Sequence, residues 1–219
     1  MSTGTVQINL SDVRDAAQRI APYAHRTPVF TCHTIDDLAG RQLFFKCEPL
    51  QKIGAFKFRG ACNAVMRLTD DEAANGVVTH SSGNHAQALA LAGRMRGIDV
   101  HVIMPENARA VKRRAVEDYG AAVYPCVPTL EARETLAAEI MGRTGARFIP
   151  PYDHPDIIAG QGTAALELLE EVPDLDAVIA PIGGGGLMSG TCIATRGLRP
   201  DALIFGAEPT GADDAARSL

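Results

Sequence analysis

The chain contains five cysteines in 219 residues, but no two of them form a Cys-x-x-Cys pair. Zinc knuckles and disulfide frameworks depend on close or even-numbered cysteines, so neither is indicated. Widely spaced cysteines in odd number favour a reducing compartment, and we therefore expect a cytoplasmic protein. Excess positive charge is also lacking, since the formal net charge is -5, which argues against a nucleic-acid partner.

A long, uninterrupted apolar segment is missing as well. Residues 177–195 carry no charge and approach the length of a membrane span. They include Pro181, four consecutive glycines and several hydroxyl side chains, which predict a strand, a loop and a helix instead. We expect no membrane partner.

Short strands alternate regularly with helices along most of the chain. Strands are expected at 77–79, 100–104, 121–124, 147–149, 177–180 and 203–207, and helices at 86–96, 108–119, 130–141, 157–170 and 187–198. This alternation predicts an α/β fold with parallel sheets and helices on both faces. Residues 76–149 are expected to form a small domain inserted in a larger one, made of 1–75 and 150–219.

The sequence stops soon after its last predicted strand. A parallel sheet that later elements do not complete has an exposed edge. We therefore expect the chain to be a fragment or a product truncated at its C-terminus.

Lys57 lies between Phe56 and Phe58, at the start of a segment whose apolar spacing predicts a helix with one buried face. Burial lowers the pKa of a lysine amine, which makes the neutral form available as a nucleophile or base. An aldehyde cofactor needs such an amine to form a Schiff base. The alternative is that the amine reaches solvent and only the methylene stem is buried.

Four glycines at residues 183–186, called the glycine loop below, join a predicted buried strand to the helix that follows. Such a loop can turn sharply and direct several N–H groups at one anion, together with the helix N-terminus. The spacing matches neither a Walker loop nor Gly-x-Gly-x-x-Gly. The glycine loop therefore predicts a phosphate site, and the alternative is a tight turn without a ligand.

Residues 81–85, Ser-Ser-Gly-Asn-His and called the serine turn below, also join a strand to a helix. Their hydroxyl and amide groups suit either a helix cap or the binding of a carboxylate or ring oxygen. Both interpretations remain open from the sequence.

An acidic turn follows the last predicted strand. Glu208, Asp213 and Asp214 lie close together around Gly211, and oxygen ligands of this kind suit Mg²⁺ or Ca²⁺. The alternative is a solvated acidic surface.

Lys57, the serine turn and the glycine loop occur in an order that resembles the pyridoxal-phosphate (PLP) enzymes of fold type II, the tryptophan synthase beta-like fold. The group that it most resembles is that of the serine/threonine dehydratases and serine racemases. Residues 159–163, Ala-Gly-Gln-Gly-Thr, and the Glu208-Pro209 pair add to the likeness. The resemblance extends from about His25 to the end of the sequence.

The resemblance implies a role for each matching residue. Lys57 would hold the cofactor as an internal aldimine and then act as the base at the substrate's α carbon. Ser82 would be the acid or base on the opposite face. The other cofactor contacts would be Phe56 beside the ring, Asn84 at the ring hydroxyl, and Gly183, Gly184, Gly185, Gly186 and Leu187 at the phosphate. The substrate carboxylate would be lined by Ser81, Ser82 and His85, and a Mg²⁺ or Ca²⁺ ion would be bound by Glu208, the Ala212 carbonyl and Asp214.

The activity implied first is a dehydratase, or ammonia-lyase, that converts L-threonine or L-serine to a 2-oxo acid and ammonia, in a homodimer. The alternatives are a serine racemase, a threo-3-hydroxyaspartate dehydratase and a non-catalytic amino-acid-binding relative. The intact Lys57 argues against the last, because a pure sensor needs no Schiff-base amine. The family has a further segment, with a serine facing the pyridine nitrogen, beyond the last residue of this sequence.

Overall fold

The computed structural model of the protein describes residues 7–218. The outermost residues of the predicted large domain, 1–6 and 219, lie outside this range. In chain order the helices are α1 (Leu10–Ile20), α2 (His33–Ala39), α3 (Lys57–Arg67), α4 (Asp70–Ala73), α5 (Asn84–Arg96), α6 (Ala110–Asp118), α7 (Leu130–Thr144), α8 (Pro155–Glu171), α9 (Gly186–Leu198) and α10 (Asp214–Arg217). The strands are β1 (Val29–Phe30), β2 (Phe45–Lys46), β3 (Val77–His80), β4 (Val100–Pro105), β5 (Ala122–Cys126), β6 (Arg147–Phe148), β7 (Ala177–Pro181) and β8 (Leu203–Ala207).

The main sheet has four parallel strands in the order β5-β4-β3-β6. Val77, Val78 and Thr79 of β3 are all buried, as expected for a central strand that is covered on both faces. The predicted parallel α/β fold is confirmed. A second parallel pair is formed by β7 and β8, and an antiparallel pair by β1 and β2.

The largest hydrophobic core joins the main sheet to α3 and α5. Phe58, Cys62 and Val65 of α3 lie in the same cluster as Leu89 of α5 and Val102 of β4. All strands of the main sheet lie between residues 77 and 148, but their core extends into α3. The division into a 76–149 domain and a surrounding domain therefore stays a prediction.

Helix α8 lies between α3 and α9, and glycines allow both contacts to be very close. A Cβ on Gly160 would come within 2.6 Å of the Gly60 Cα, and a Cβ on Gly190 within 2.5 Å of the Gly162 nitrogen. Larger residues at these positions would force the helices apart. Helix α8 thus fixes α3, which begins at Lys57, relative to α9.

Residues 177–195 fold as the sequence predicts. They form β7, the glycine loop and the first turns of α9. Within residues 7–218, none of the helices has the length and apolar character needed to cross a membrane.

Candidate active site

Lys57 is the first residue of α3, and its side chain is half-buried. The Nζ atom donates a hydrogen bond to the Pro151 carbonyl at 2.5 Å and lies 5.4 Å from the centroid of the Phe56 ring. Burial lowers the pKa of the Lys57 amine from 10.5 to about 8. The amine is therefore hydrogen-bonded to the protein, and its burial favours the neutral form.

The glycine loop ends at Gly186, the first residue of α9. Gly183 and Gly185 adopt left-handed backbone conformations, with φ of 53° and 86°. A Cβ at either position would meet no atom within 4 Å, so open space lies beside the loop. Since the first N–H groups of a helix have no intrahelical acceptor, this end of α9 can bind an anion.

A turn at residues 150–153, called the proline turn below, connects Lys57 to the glycine loop. Pro151 accepts the hydrogen bond from Lys57, and the ring of the next residue, Tyr152, packs against Gly184. A Cβ on Gly184 would come within 2.3 Å of the Tyr152 Cδ1 atom. This role of the turn was not predicted from the sequence. The available signal was an aromatic residue directly after two prolines.

The serine turn lies at the start of α5. The helix is capped by Gly83, without a side-chain hydrogen bond, while the Ser81 Oγ accepts from the Gly83 N–H at 3.3 Å. The Ser81 N–H donates to the Ile103 carbonyl of β4 at 3.1 Å, which fixes the turn to that strand. Ser82 is partly exposed and Asn84 is exposed. Ser81 therefore holds the turn before the helix, and the capping alternative is not supported.

His85, the last residue of the serine turn, is 2% exposed. Its Nε2 atom lies 3.1 Å from the Ile149 carbonyl, and its Nδ1 atom has no partner in the described part of the chain. Burial lowers the pKa of His85 to about 3, and the nearby charge of Lys57 acts in the same direction, while the bond to Ile149 opposes the shift. The ring is therefore neutral at physiological pH.

Phe56 and Leu187 line one cavity of about 200 Å³, together with Pro181 and Thr191. The residue before Lys57 and the residue after the glycine loop are thus brought to the same space. Neither Lys57 nor the four glycines line this cavity, so it is not assigned to a ligand.

Arg59 is a second residue whose importance was not predicted from the sequence. Its guanidinium is fully buried and forms ion pairs with Glu48 at 2.8 Å and Glu167 at 2.7 Å. The signal was an arginine within the otherwise apolar stretch that begins α3.

The acidic turn brings only some of the predicted metal ligands into ordered contacts. The Glu208 Oε2 atom accepts from the Ala216 N–H at 3.0 Å, and its Oε1 atom is buried without a partner in residues 7–218. Asp213 forms an ion pair with Arg217 at 3.0 Å, while Ala212 and Asp214 are exposed. The described residues contain no group of three or more His, Cys, Asp or Glu side chains that could hold a metal. The Glu208–Ala212–Asp214 site stays a prediction.

Several known proteins are similar to this chain over nearly its whole length. The serine racemase of Dictyostelium discoideum is 52% identical over 212 residues, which are 97% of this chain and 65% of that protein. Its crystal structure matches 96% of this chain and 69% of its own, with a TM-score of 0.94. The beta-hydroxyaspartate dehydratase of Paracoccus denitrificans is 50% identical, covering 95% of this chain and 66% of the relative.

A third similar protein is a T.th. threonine deaminase. Its crystal structure is 43% identical and has a TM-score of 0.90, covering 96% of this chain and 68% of that one. This chain spans 62 to 65% of the length of the first four curated relatives, all of them serine racemases.

The family description "Pyridoxal-phosphate dependent enzyme" matches residues 20–219. The predicted fold type II architecture and the predicted family are both confirmed, because the match covers most of the chain and the solved structures superpose over almost all of it. The chain belongs to the pyridoxal-phosphate dependent enzymes.

Proposed function

We propose that the protein acts at the α carbon of a β-hydroxy amino acid, as a serine racemase or a threo-3-hydroxyaspartate dehydratase. The observation that carries the proposal is the Lys57 amine, whose pKa is lowered to about 8 and which one turn connects to an open glycine loop. The similar proteins favour these two activities over the L-threonine or L-serine dehydratase that the sequence implied first. That dehydratase remains the third candidate.

The residues present fit pyridoxal phosphate. Its aldehyde needs a neutral amine, and the lowered pKa of Lys57 increases the neutral fraction near physiological pH. Its phosphate needs a cradle of N–H groups, and the open space beside Gly183 and Gly185 at the start of α9 suits an anion. Its ring needs an apolar wall, for which we propose Phe56, with Asn84 at the ring hydroxyl.

The phosphate contacts that we propose are those predicted from the sequence, namely Gly183, Gly184, Gly185, Gly186 and Leu187.

When bound, the cofactor withdraws electrons from the substrate's α carbon and so acidifies its hydrogen. Lys57 would take that proton on one face, because burial of its amine favours the neutral form that can act as a base. Ser82, partly exposed in the serine turn, supplies or accepts a proton on the other face.

Racemisation and dehydration then differ in the step after proton removal. Return of a proton by Ser82 on the opposite face inverts the α carbon. Loss of the β hydroxyl as water gives, after hydrolysis, a 2-oxo acid and ammonia. Lys57 therefore serves both candidate reactions, whereas the return of a proton by Ser82 is needed for racemisation.

The serine turn is the proposed site of the substrate carboxylate, with Ser81 and Ser82 as donors at the start of α5. His85 lines this site as part of the buried wall. Its neutral ring adds no positive charge there, because burial keeps the imidazole unprotonated.

The acidic turn is proposed to bind Mg²⁺ or Ca²⁺ through Glu208, the Ala212 carbonyl and Asp214. The unpartnered Glu208 Oε1 atom supports this assignment.

We also propose that the protein is a homodimer and that it is cytoplasmic. The five unpaired cysteines support a reducing compartment.

The test is product analysis with added pyridoxal phosphate. The protein is incubated with L-serine, L-threonine and threo-3-hydroxyaspartate, and D-serine, 2-oxo acid and ammonia are measured. The proposal predicts D-serine from L-serine, or ammonia from threo-3-hydroxyaspartate at a higher kcat/KM than from L-threonine. Ammonia release that is fastest with L-threonine and occurs without racemisation would contradict it.

A further inference from the structure

A buried cluster of two cations and two anions lies at the first turn of α3, outside the residues assigned to cofactor and substrate. Arg59 donates two hydrogen bonds of 2.8 Å to Glu48, from Nε to Oε2 and from Nη2 to Oε1. It donates two more to Glu167, from Nη1 to Oε1 at 2.7 Å and from Nη2 to Oε2 at 2.8 Å. Only a planar guanidinium has donors that can bind two carboxylates in this manner, and lysine cannot replace it.

Lys46 is the second cation of the cluster. Its Nζ atom lies 2.7 Å from the Glu167 Oε2 atom and donates to the Thr27 carbonyl at 2.6 Å. Burial alone would raise the pKa of Glu167, but the hydrogen bonds and charges of Arg59 and Lys46 bring that pKa below its ordinary value. Both anions are thus matched by cations, and the cluster is neutral as a whole.

The cluster joins separate parts of the chain to the start of α3. Lys46 belongs to β2, Glu48 to the turn after it, and Glu167 to α8. Well-packed apolar residues stabilise such a junction as well as buried ions do, or better, because ions lose their hydration on burial. The ions instead orient the Arg59 side chain, because each carboxylate fixes the plane and the rotation of the guanidinium.

Arg59 follows Lys57 by two residues. Residues at this spacing point about 200° apart around a helix, so the two side chains face opposite sides of α3. Holding Arg59 therefore fixes the rotation of the first turn and with it the direction of Lys57. Helix α8, which supplies Glu167, also packs against α9 at Gly162 and Gly190. The orientation of Arg59 is thereby fixed relative to the glycine loop at the start of α9.

We infer that Arg59 is a positioning residue which, clamped between Glu48 and Glu167, aims Lys57 at the proline turn and the glycine loop. The inference rests on the proposed function, because it concerns the amine that would bind the cofactor. It assigns Arg59 no contact with substrate or cofactor.

The test compares Arg59→Lys with a matched control, Arg67→Lys. Arg67 lies on the same helix and also forms an ion pair, with Asp156, but its side chain is 56% exposed and lies at the far end of α3. The rate of the borohydride-reducible adduct at Lys57 is measured at saturating pyridoxal phosphate, beside the unfolding midpoint. Arg59→Lys should slow the adduct at least about 10-fold, because small misplacements of a reacting group are costly, while Arg67→Lys stays within about 2-fold of wild type. Equal rates in the two folded variants would overturn the inference.

A second variant covers the case in which Arg59→Lys does not fold. Glu48→Gln keeps the ion pair of Arg59 with Glu167 and removes the one with Glu48, a side chain that is 15% exposed. It should slow the adduct by about 3-fold or more. A folded Glu48→Gln protein that reacts as fast as Arg67→Lys would count against the positioning role.

A cofactor-free measurement separates this inference from the proposed function. Labelling of Lys57 by acetic anhydride over a range of pH, read by mass spectrometry, gives the pKa and reactivity of the amine directly. The wild-type midpoint should lie near pH 8, and Arg59→Lys should move it to higher pH as the amine gains solvent. An unchanged midpoint overturns the inference. If wild type forms no adduct with pyridoxal phosphate, the proposed function fails, and the labelling alone decides the role of Arg59.

Discussion

The ring of Tyr152 lies so close to Gly184 that a Cβ on the glycine would come within 2.3 Å of the tyrosine Cδ1 atom. The ring and the glycine loop cannot both keep their places once a side chain is present at residue 184. The requirement for glycine at this position therefore comes from a packing contact, because the Gly184 backbone is not left-handed. The same turn accepts the hydrogen bond from Lys57, so a disturbance at Gly184 reaches the reactive amine.

Gly184→Ala should destabilise the protein by about 1–3 kcal/mol and weaken its retention of pyridoxal phosphate, because the added methyl group forces Tyr152 or the loop to move. Urea unfolding and equilibrium dialysis measure the two effects. Adding Tyr152→Ala should restore part of both losses, as expected for coupled neighbours. The control is Gly142→Ala in α7, where a Cβ has open space and alanine favours the helix. If the effects of Gly184→Ala and Tyr152→Ala simply add, the two residues are not in energetically coupled contact.

His85 should make the stability of the protein depend on acid. Its pKa is about 3 when folded and 6.5 in the reference state, so the unfolded chain binds the extra proton as the pH falls below 6.5. Stability is thus full above pH 6.5 and is lost progressively between pH 6.5 and 3, by about 2 kcal/mol at pH 5. Urea unfolding of wild type and His85→Gln at pH 7.5 and 5 measures this. The difference in unfolding free energy between wild type and His85→Gln should change between pH 7.5 and 5. A constant difference would show that His85 does not titrate this way.

Ser82→Ala should separate the two candidate reactions. Without a hydroxyl on the face opposite Lys57, formation of D-serine should fall at least about 100-fold, as is usual when a general acid is removed. Ammonia release from threo-3-hydroxyaspartate should fall less, because Lys57 alone removes the α proton. Chiral chromatography and an ammonia assay measure the two products. Ser81→Ala is the comparison, and it should lower both activities by a similar factor. A parallel loss of both in Ser82→Ala would argue against its proposed role.

Much of the fold follows from the sequence by simple rules. The alternation of apolar strands with helices predicted that β3, β4 and β5 run parallel, and four glycines after a buried strand predicted the loop before α9. Lys57 was expected at the start of a helix because the apolar spacing begins there. These features are local, and each depends on a few neighbouring residues.

The rest depends on contacts between distant parts of the chain. Pro151 and Lys57 are 94 residues apart, and Glu167 and Arg59 are 108 residues apart. No spacing rule connects such positions. From the sequence, the glycine loop was assigned turning and anion binding alone, because nothing local indicates that Tyr152 packs on Gly184. The boundary at residue 76 stays a prediction, because the core of the sheet extends back into α3.

The acidic turn gives a prediction that needs no enzyme activity. If Glu208, the Ala212 carbonyl and Asp214 bind Mg²⁺ or Ca²⁺ in the folded protein only, the melting temperature should rise with ion concentration and fall back with chelator. Glu208→Gln keeps the size of the side chain and removes its charge, so the rise should be lost in that variant. Equal shifts in both proteins, or no shift in wild type, would mean that the turn is simply solvated.

Peptide mapping shows whether Lys57 is the residue that binds pyridoxal phosphate. The chain has four lysines, Lys46, Lys52, Lys57 and Lys112, so the assignment is unambiguous. The protein is incubated with pyridoxal phosphate, reduced with borohydride, digested and analysed by mass spectrometry over a range of pH. We expect one modified peptide, containing Lys57, that forms half-maximally near pH 8 and is absent from Lys57→Met. Modification mainly at another lysine, or a yield at Lys57 that rises only near pH 10.5, would contradict it.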